Sequence, residues 1–184
     1  MKRILWGFGV VCASALVALA ADKSAPSAGT IIDQEIKMAE SEVVGLAEAM
    51  PAGKYDFAPT QGEFKGVRTF GQQMMHIAAI NYIVAAAALG EKNPSEAGEK
   101  ENGPASVKGK DAIVKYLKDS YAYAHKSAAS ITEANALDMV ASPFGSGKMA
   151  RMAAISIVPW HNMDHYGQAV VYARMNGVVP PASR

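Results

Sequence analysis

The stretch IIDQEIKMAESEVVGLAEAM, residues 31–50, sets Ile32, Ile36, Ala39, Val43, Leu46, Ala47 and Met50 at intervals of three and four, with charged side chains between them. That period gathers the apolar groups onto one stripe of a helix and leaves the other face for water. Pro51 and Gly53 end it, because proline lacks the N–H a continuing helix needs and glycine loses the most freedom in one. A helix with one apolar stripe must bury it against further elements, so the rest of the chain has to supply them.

Downstream, residues 51–67 combine glycines and prolines with Tyr55 and Phe57, the composition of an ordered loop tied down by aromatic anchors. Arg68 to Gly90 is rich in Met, Ile and Ala and predicts a second helix stopped by Gly90. Glu91 to Lys110 is charged, glycine-rich and nearly without large apolar residues, so it is expected to be a mobile excursion outside the core. Ile113, Leu117, Tyr121 and Ala124 resume helical spacing in a third helix from Asp111 to about Thr132. After a turn at residues 142–147, Lys148 to Asn176 predicts a fourth helix, closed by Gly177 and Pro180-Pro181 and kinked at Pro159. No segment reads as a strand and no repeat is present. The expected fold class is all-α, a four-helix bundle formed by residues 30–184.

The N-terminus differs from the rest. Lys2 and Arg3 precede an apolar run, Ile4 to Ala20, that ends in Ala18-Leu19-Ala20 followed by Ala21-Asp22. A basic start, a short apolar core and small residues at the end are the three parts of a secretory signal peptide. The run is slightly short of the roughly 20 residues a membrane span needs. Residues 1–21 are therefore expected to be a cleaved signal, residues 22–29 a polar linker, and the mature protein to be periplasmic or secreted, with no membrane association after cleavage. Cys12 follows Val11 in mid-run, where a lipoprotein signal does not place its cysteine. Intact-mass analysis of the exported protein should find Ala21 or Asp22 at the N-terminus; retention of residues 1–20 would contradict this.

Cleavage takes away Lys2 and Arg3 and no acidic residue, leaving 16 Lys and Arg against 17 Asp and Glu. The net charge moves from +1 to −1, which points away from nucleic acid as a partner. Cys12, the one cysteine, leaves with the signal, so the mature chain has neither a disulfide nor a thiol nucleophile.

The chemistry is concentrated in histidines. His161 and His165 are spaced i, i+4, which puts both imidazoles on one helix face within reach of a single ion. Gln168 and Tyr172 fall on the same stripe, so polar groups line up where a packed helix should be apolar; a metal with supporting hydrogen bonds would satisfy them. His76 sits in the apolar context Met74-Met75-His76-Ile77-Ala78 and needs an ion or a hydrogen-bond partner equally. His125 lies between Ala124 and Lys126 and is expected to be a half-exposed surface residue outside any site. If the other three histidines share an ion, their ligand nitrogens should lie roughly 3 to 4 Å apart. Asp164, about 60° from His161 on the wheel, is the candidate catalytic residue, followed by Gln168 and the acidic stretch Glu91 to Glu101.

The segment His161-Asn-Met-Asp-His165-Tyr-Gly-Gln168-Ala-Val-Val-Tyr-Ala-Arg174-Met-Asn-Gly177-Val-Val-Pro180-Pro181 resembles the end of DinB/YfiT-like proteins: His-x-x-x-His, Gly-Gln, then Tyr-x-Arg-x-x-Gly-x-x-Pro-Pro. Arg68-Thr-Phe-Gly-Gln-Gln-Met-Met-His76 resembles the second-helix histidine motif of the same family. The resemblance implies an up-down-down-up four-helix bundle, often a homodimer, with a metal held by His76, His161 and His165. Three neutral imidazoles suit zinc, nickel, iron or manganese and leave coordination positions open. Within the family the resemblance implies either metal-dependent hydrolases or transferases using a low-molecular-weight thiol such as bacillithiol or mycothiol. Because those thiols belong to the reducing cytoplasm, export favours the hydrolase, in which an ion lowers the pKa of a bound water. A non-catalytic bundle binding a metal or small ligand is the alternative, and the substrate expected of an enzyme is a small molecule.

Overall fold

The structure is a computed structural model and describes residues 26–95 and 101–184. The signal-peptide and cleavage expectations, and part of the linker, lie outside those residues.

Four long helices form the body: α1 (Ala28–Ala49), α2 (Phe70–Leu89), α3 (Lys110–Ala129) and, after a short α4 (Arg151–Ile155), α5 (Ile157–Met175). The α1 stripe is buried as its spacing dictates, with Ile32, Ile36, Ala39, Val43, Leu46, Ala47 and Met50 in the core. The helix begins at Ala28, ahead of the expected Thr30, because the Ser27 side chain caps it by accepting from the Thr30 N–H at 3.1 Å. Gly29 in that first turn belongs to the packing rather than to a linker: a Cβ there would meet the Ala128 and Ile131 carbonyl oxygens at 2.6 Å. Only glycine lets α1 approach the end of α3 so closely.

Helix α2 is buried over nearly its whole length and packs on α3, α4 and α5, which explains a sequence apolar on every face. Thr69 and Gln72 form a reciprocal capping box at its start, and Gly90 closes it in the left-handed region at φ 72°. The loop before it is anchored as its aromatics suggest. Tyr55 donates its hydroxyl to the Ala47 carbonyl at 2.6 Å and stands edge-on to Phe70 with centroids 5.2 Å apart, while Phe57 meets Tyr172 at 5.9 Å.

Three expectations need correction. A two-stranded antiparallel hairpin, β1 (Met139–Ala141) and β2 (Lys148–Ala150), pairs Val140 with Met149 around the predicted turn. Each strand is three residues long and only Val140 is buried, too little for an alternating pattern to show. The fourth helix consequently starts at Arg151 rather than Lys148, and it breaks at Ser156 instead of bending at Pro159. Pro159 has no N–H to offer the Ile155 carbonyl, so the interruption falls one turn ahead of it. Lastly, residues 101–109 fold back onto α2, with Gly103 against Met75 and Tyr116, and are not a free excursion.

Among the described residues no helix is long and apolar enough to cross a membrane.

Candidate metal centre

Helices α2 and α5 bring His76 together with His161 and His165 across 85 residues of sequence. Ring centroids are 5.1 Å apart for His76 and His161, 4.6 Å for His76 and His165, and 4.5 Å for His161 and His165. One nitrogen from each ring lies within 4.8 Å of the others, and among the described residues no acidic side chain joins the group. That limit is wider than the roughly 3 to 4 Å expected of three nitrogens sharing one ion. Histidine χ2 occupies a broad well, so small ring rotations that shorten such separations cost little.

Each ring is oriented from behind through Nδ1. His76 Nδ1 lies 2.7 Å from the Glu101 carbonyl oxygen, which only accepts, so Nδ1 carries the proton and Nε2 keeps its lone pair. His165 Nδ1 donates to Gln73 Oε1 at 2.8 Å; Gln73 Nε2 donates to Gln168 Oε1 at 3.2 Å, and Gln168 Nε2 to Asp164 Oδ2 at 3.2 Å. His161 Nδ1 stands 3.5 Å from Asn162 Oδ1, a longer contact, and buried Asn162 is fixed by donating to the Tyr121 hydroxyl at 3.0 Å. His76 and His165 are thereby left with their Nε2 lone pairs free. This is the support that metal-binding histidines receive from carboxylate, amide or carbonyl oxygens.

The electrostatics favour neutral rings. Burial pushes the His76 pKa below its ordinary 6.5, and burial, with a neighbouring imidazole next in weight, holds His161 and His165 down at about 4. The Arg68 charge adds to the depression at all three. A neutral imidazole is the form that donates a lone pair to a metal. Because these pKa values are lower in the folded chain than in the unfolded one, the unfolded state binds more protons between about pH 4 and 6.5. Metal-free protein should therefore have a melting temperature flat above pH 6.5 that falls as the pH drops toward 4. A flat profile across that window would show that the histidines titrate normally.

Of the other expected residues, Gln168 joins the site indirectly through Gln73, Tyr172 is buried against Phe57, and Asp164 is exposed at the far end of the glutamine chain. The Asp164 charge is nevertheless felt at His161 and His165, and that of Glu101 at His76. His125 lies outside the cluster and ties α3 to α1, with Nδ1 2.6 Å from Asp33 and Nε2 3.1 Å from Glu40.

Two supports of the site were not anticipated. Gln73 lies three residues before His76 and so on the same face of α2; the wheel that singled out Gln168 on α5 would have found it. The Glu101 contribution is a backbone carbonyl, which side-chain identity does not reveal. Replacing Gln73 by Leu should cost about 10–100-fold in affinity for the ion, by freeing the His165 ring. Competition with a metallochromic chelator would measure it, and an unchanged affinity would show that Gln73 merely fills space.

The sequence profile of the DinB superfamily matches residues 35–169. No curated protein matches the chain. Among solved structures, a DinB-like protein from Bacillus cereus superposes with a TM-score of 0.64 at 15% identity, covering 82% of this chain and 93% of that one, a likeness of fold.

Proposed function

The chain belongs to the DinB superfamily, and from that premise we propose that His76, His161 and His165 hold one divalent ion and that the mature protein, exported, is a metal-dependent hydrolase of a small molecule. The observation that carries this reading is the orientation of the rings: two Nδ1 groups are committed to oxygen acceptors and the third faces one, so the Nε2 lone pairs of His76 and His165 are left free beside His161. The donor set fits zinc, nickel, iron or manganese, and three protein ligands leave positions open as catalytic sites do.

When bound, such an ion supplies Lewis acidity, lowering the pKa of a coordinated water or polarising a substrate oxygen. The chain's own groups do the rest. Glu101 and Gln73 hold the His76 and His165 rings in the tautomer that presents Nε2. Asp164 Oδ2 is held by Gln168, and Asp164 is the candidate to accept a proton during attack on substrate. The open cleft lined by Gln73 and Gln168 is the candidate approach for substrate, joined to the rings through the Gln73 contact with His165.

Elemental analysis of protein purified without a histidine tag tests the first half, with one ion per chain expected. A panel of esters, amides and phosphate esters, with a thiol-transfer arm, tests the second. Hydrolysis should disappear on chelation and return with the ion. Retention of no ion would defeat the reading, and thiol transfer in place of hydrolysis would move the protein to the other branch of the superfamily.

A further inference from the structure

Gln73, which holds the His165 ring, also lines an open cleft of about 560 Å³ whose other walls include Val67, Arg68, Gln72, Asn102 and Gln168. Its side-chain oxygens are already engaged. Asn102 Oδ1 accepts from Arg68 Nε at 3.0 Å, and Gln72 Oε1 from the Thr69 N–H at 2.9 Å. Gln73 Oε1 accepts from His165, and Gln168 Oε1 from Gln73. Each of those oxygens keeps a second lone pair, but the wall's one charge and its unengaged hydrogens weight it toward donation: the two Nη groups of Arg68, Asn102 Nδ2, Gln72 Nε2 and the second N–H of Gln73 Nε2. Among the described residues no carboxylate pairs with Arg68, although its positive charge reaches all three histidines.

A wall weighted toward donors, around a guanidinium that has no carboxylate partner among the described residues, matches an oxyanion held end-on by the Nη pair with amide N–H groups at its flanks. We infer that this cleft binds the anionic group, carboxylate or phosphate, of the molecule on which the histidine site acts, with Arg68 as its anchor. The inference rests on the proposed reading for its meaning as substrate recognition, but the anion site stands on the cleft alone. The anion would lie against Gln73, which holds the His165 ring, so that the substrate carries its negative group close to the bond to be broken. Asp164, at the far end of the Gln73 and Gln168 chain, sets the limit of the anionic end by repulsion.

The test is an NMR titration of the mature protein, stripped of metal and freed of chelator, with inorganic phosphate and separately with acetate at low ionic strength. Saturable shifts are expected at the side-chain amides of Gln72 and Asn102 and at Arg68 Nε. Affinity should fall at least about tenfold in R68Q, where the charged donor is gone, and should weaken in the wild type as salt is raised. R68K, which keeps the charge without the fork, should fall between wild type and R68Q. The tighter of the two anions names the group on the substrate. The inference is overturned if neither anion gives saturable shifts, if R68Q binds as well as wild type, or if the shifts map to another face. Because no ion is present, these outcomes are independent of whether the histidines bind metal.

Discussion

Removal of the ion by excess chelator is expected to lower the melting temperature by about 8–16 °C, measured against protein at a free ion concentration near 1,000 times Kd. An ion bound only by the folded chain stabilises it by about 4 kcal/mol at that saturation, and in a domain of this length each kcal/mol moves the midpoint by about 2–4 °C. The double variant H161A/H165A should melt identically with and without chelator, since a single remaining imidazole holds an ion weakly. H125A provides the contrast. It loses the ties to Asp33 and Glu40 and so some stability, but the chelator shift should persist in full. Calorimetry of the three proteins measures this. An unchanged wild-type curve, with loss of the ion confirmed by elemental analysis, would leave the histidines as a hydrogen-bonded cluster.

Phe70→Ala should destabilise the fold by about 3–5 kcal/mol, or about 6–20 °C, through the cavity left by a fully buried ring. Phe70 is the first residue of α2 and the edge-on partner of Tyr55, whose hydroxyl fastens the preceding loop to α1. Loss of the ring therefore loosens the helix start that carries Gln72 and Gln73. Affinity for the ion should fall along with stability, although Phe70 has no polar group to offer one. Met38→Ala, at a position 68% exposed, should stay within about 0.5 kcal/mol of wild type. Thermal melts with and without added ion separate the two effects; a Phe70→Ala protein as stable as wild type would mean that the α2 start is held by other contacts.

The fold was legible where one physical demand dominated the sequence. In α1 the three-and-four spacing has no use other than burying one face, and every residue of the stripe is in the core. In α2 the lack of a polar face announced full burial, which made His76 conspicuous. The hairpin at residues 139–150 escaped notice because three-residue strands hold too few side chains for a period of two to emerge. Pro159 was identified as a disturbance but misplaced by three residues, since the missing bond is felt at the carbonyl four positions back.

The candidate site divides in the same way. The His161 and His165 pair is a local fact of helical spacing, so it could be read from the sequence. That His76 meets them depends on the packing of α2 against α5, for which spacing alone left a hydrogen bond and an ion equally suitable. It is the resemblance in residues 68–76 and 161–181 that implies the ion. The groups that orient the rings were hidden for different reasons. Gln73 faces inward but is ordinary in a helix start, and Glu101 acts through its backbone.

The most direct measurement is a crystal structure of ion-loaded, untagged protein with anomalous data at the metal edge. A single anomalous peak about 2.0–2.2 Å from a nitrogen of each of His76, His161 and His165 is the predicted result, with His76 Nδ1 still on the Glu101 carbonyl and His165 Nδ1 still on Gln73. A peak elsewhere on the chain, or bonded to fewer than three of these rings, would contradict it.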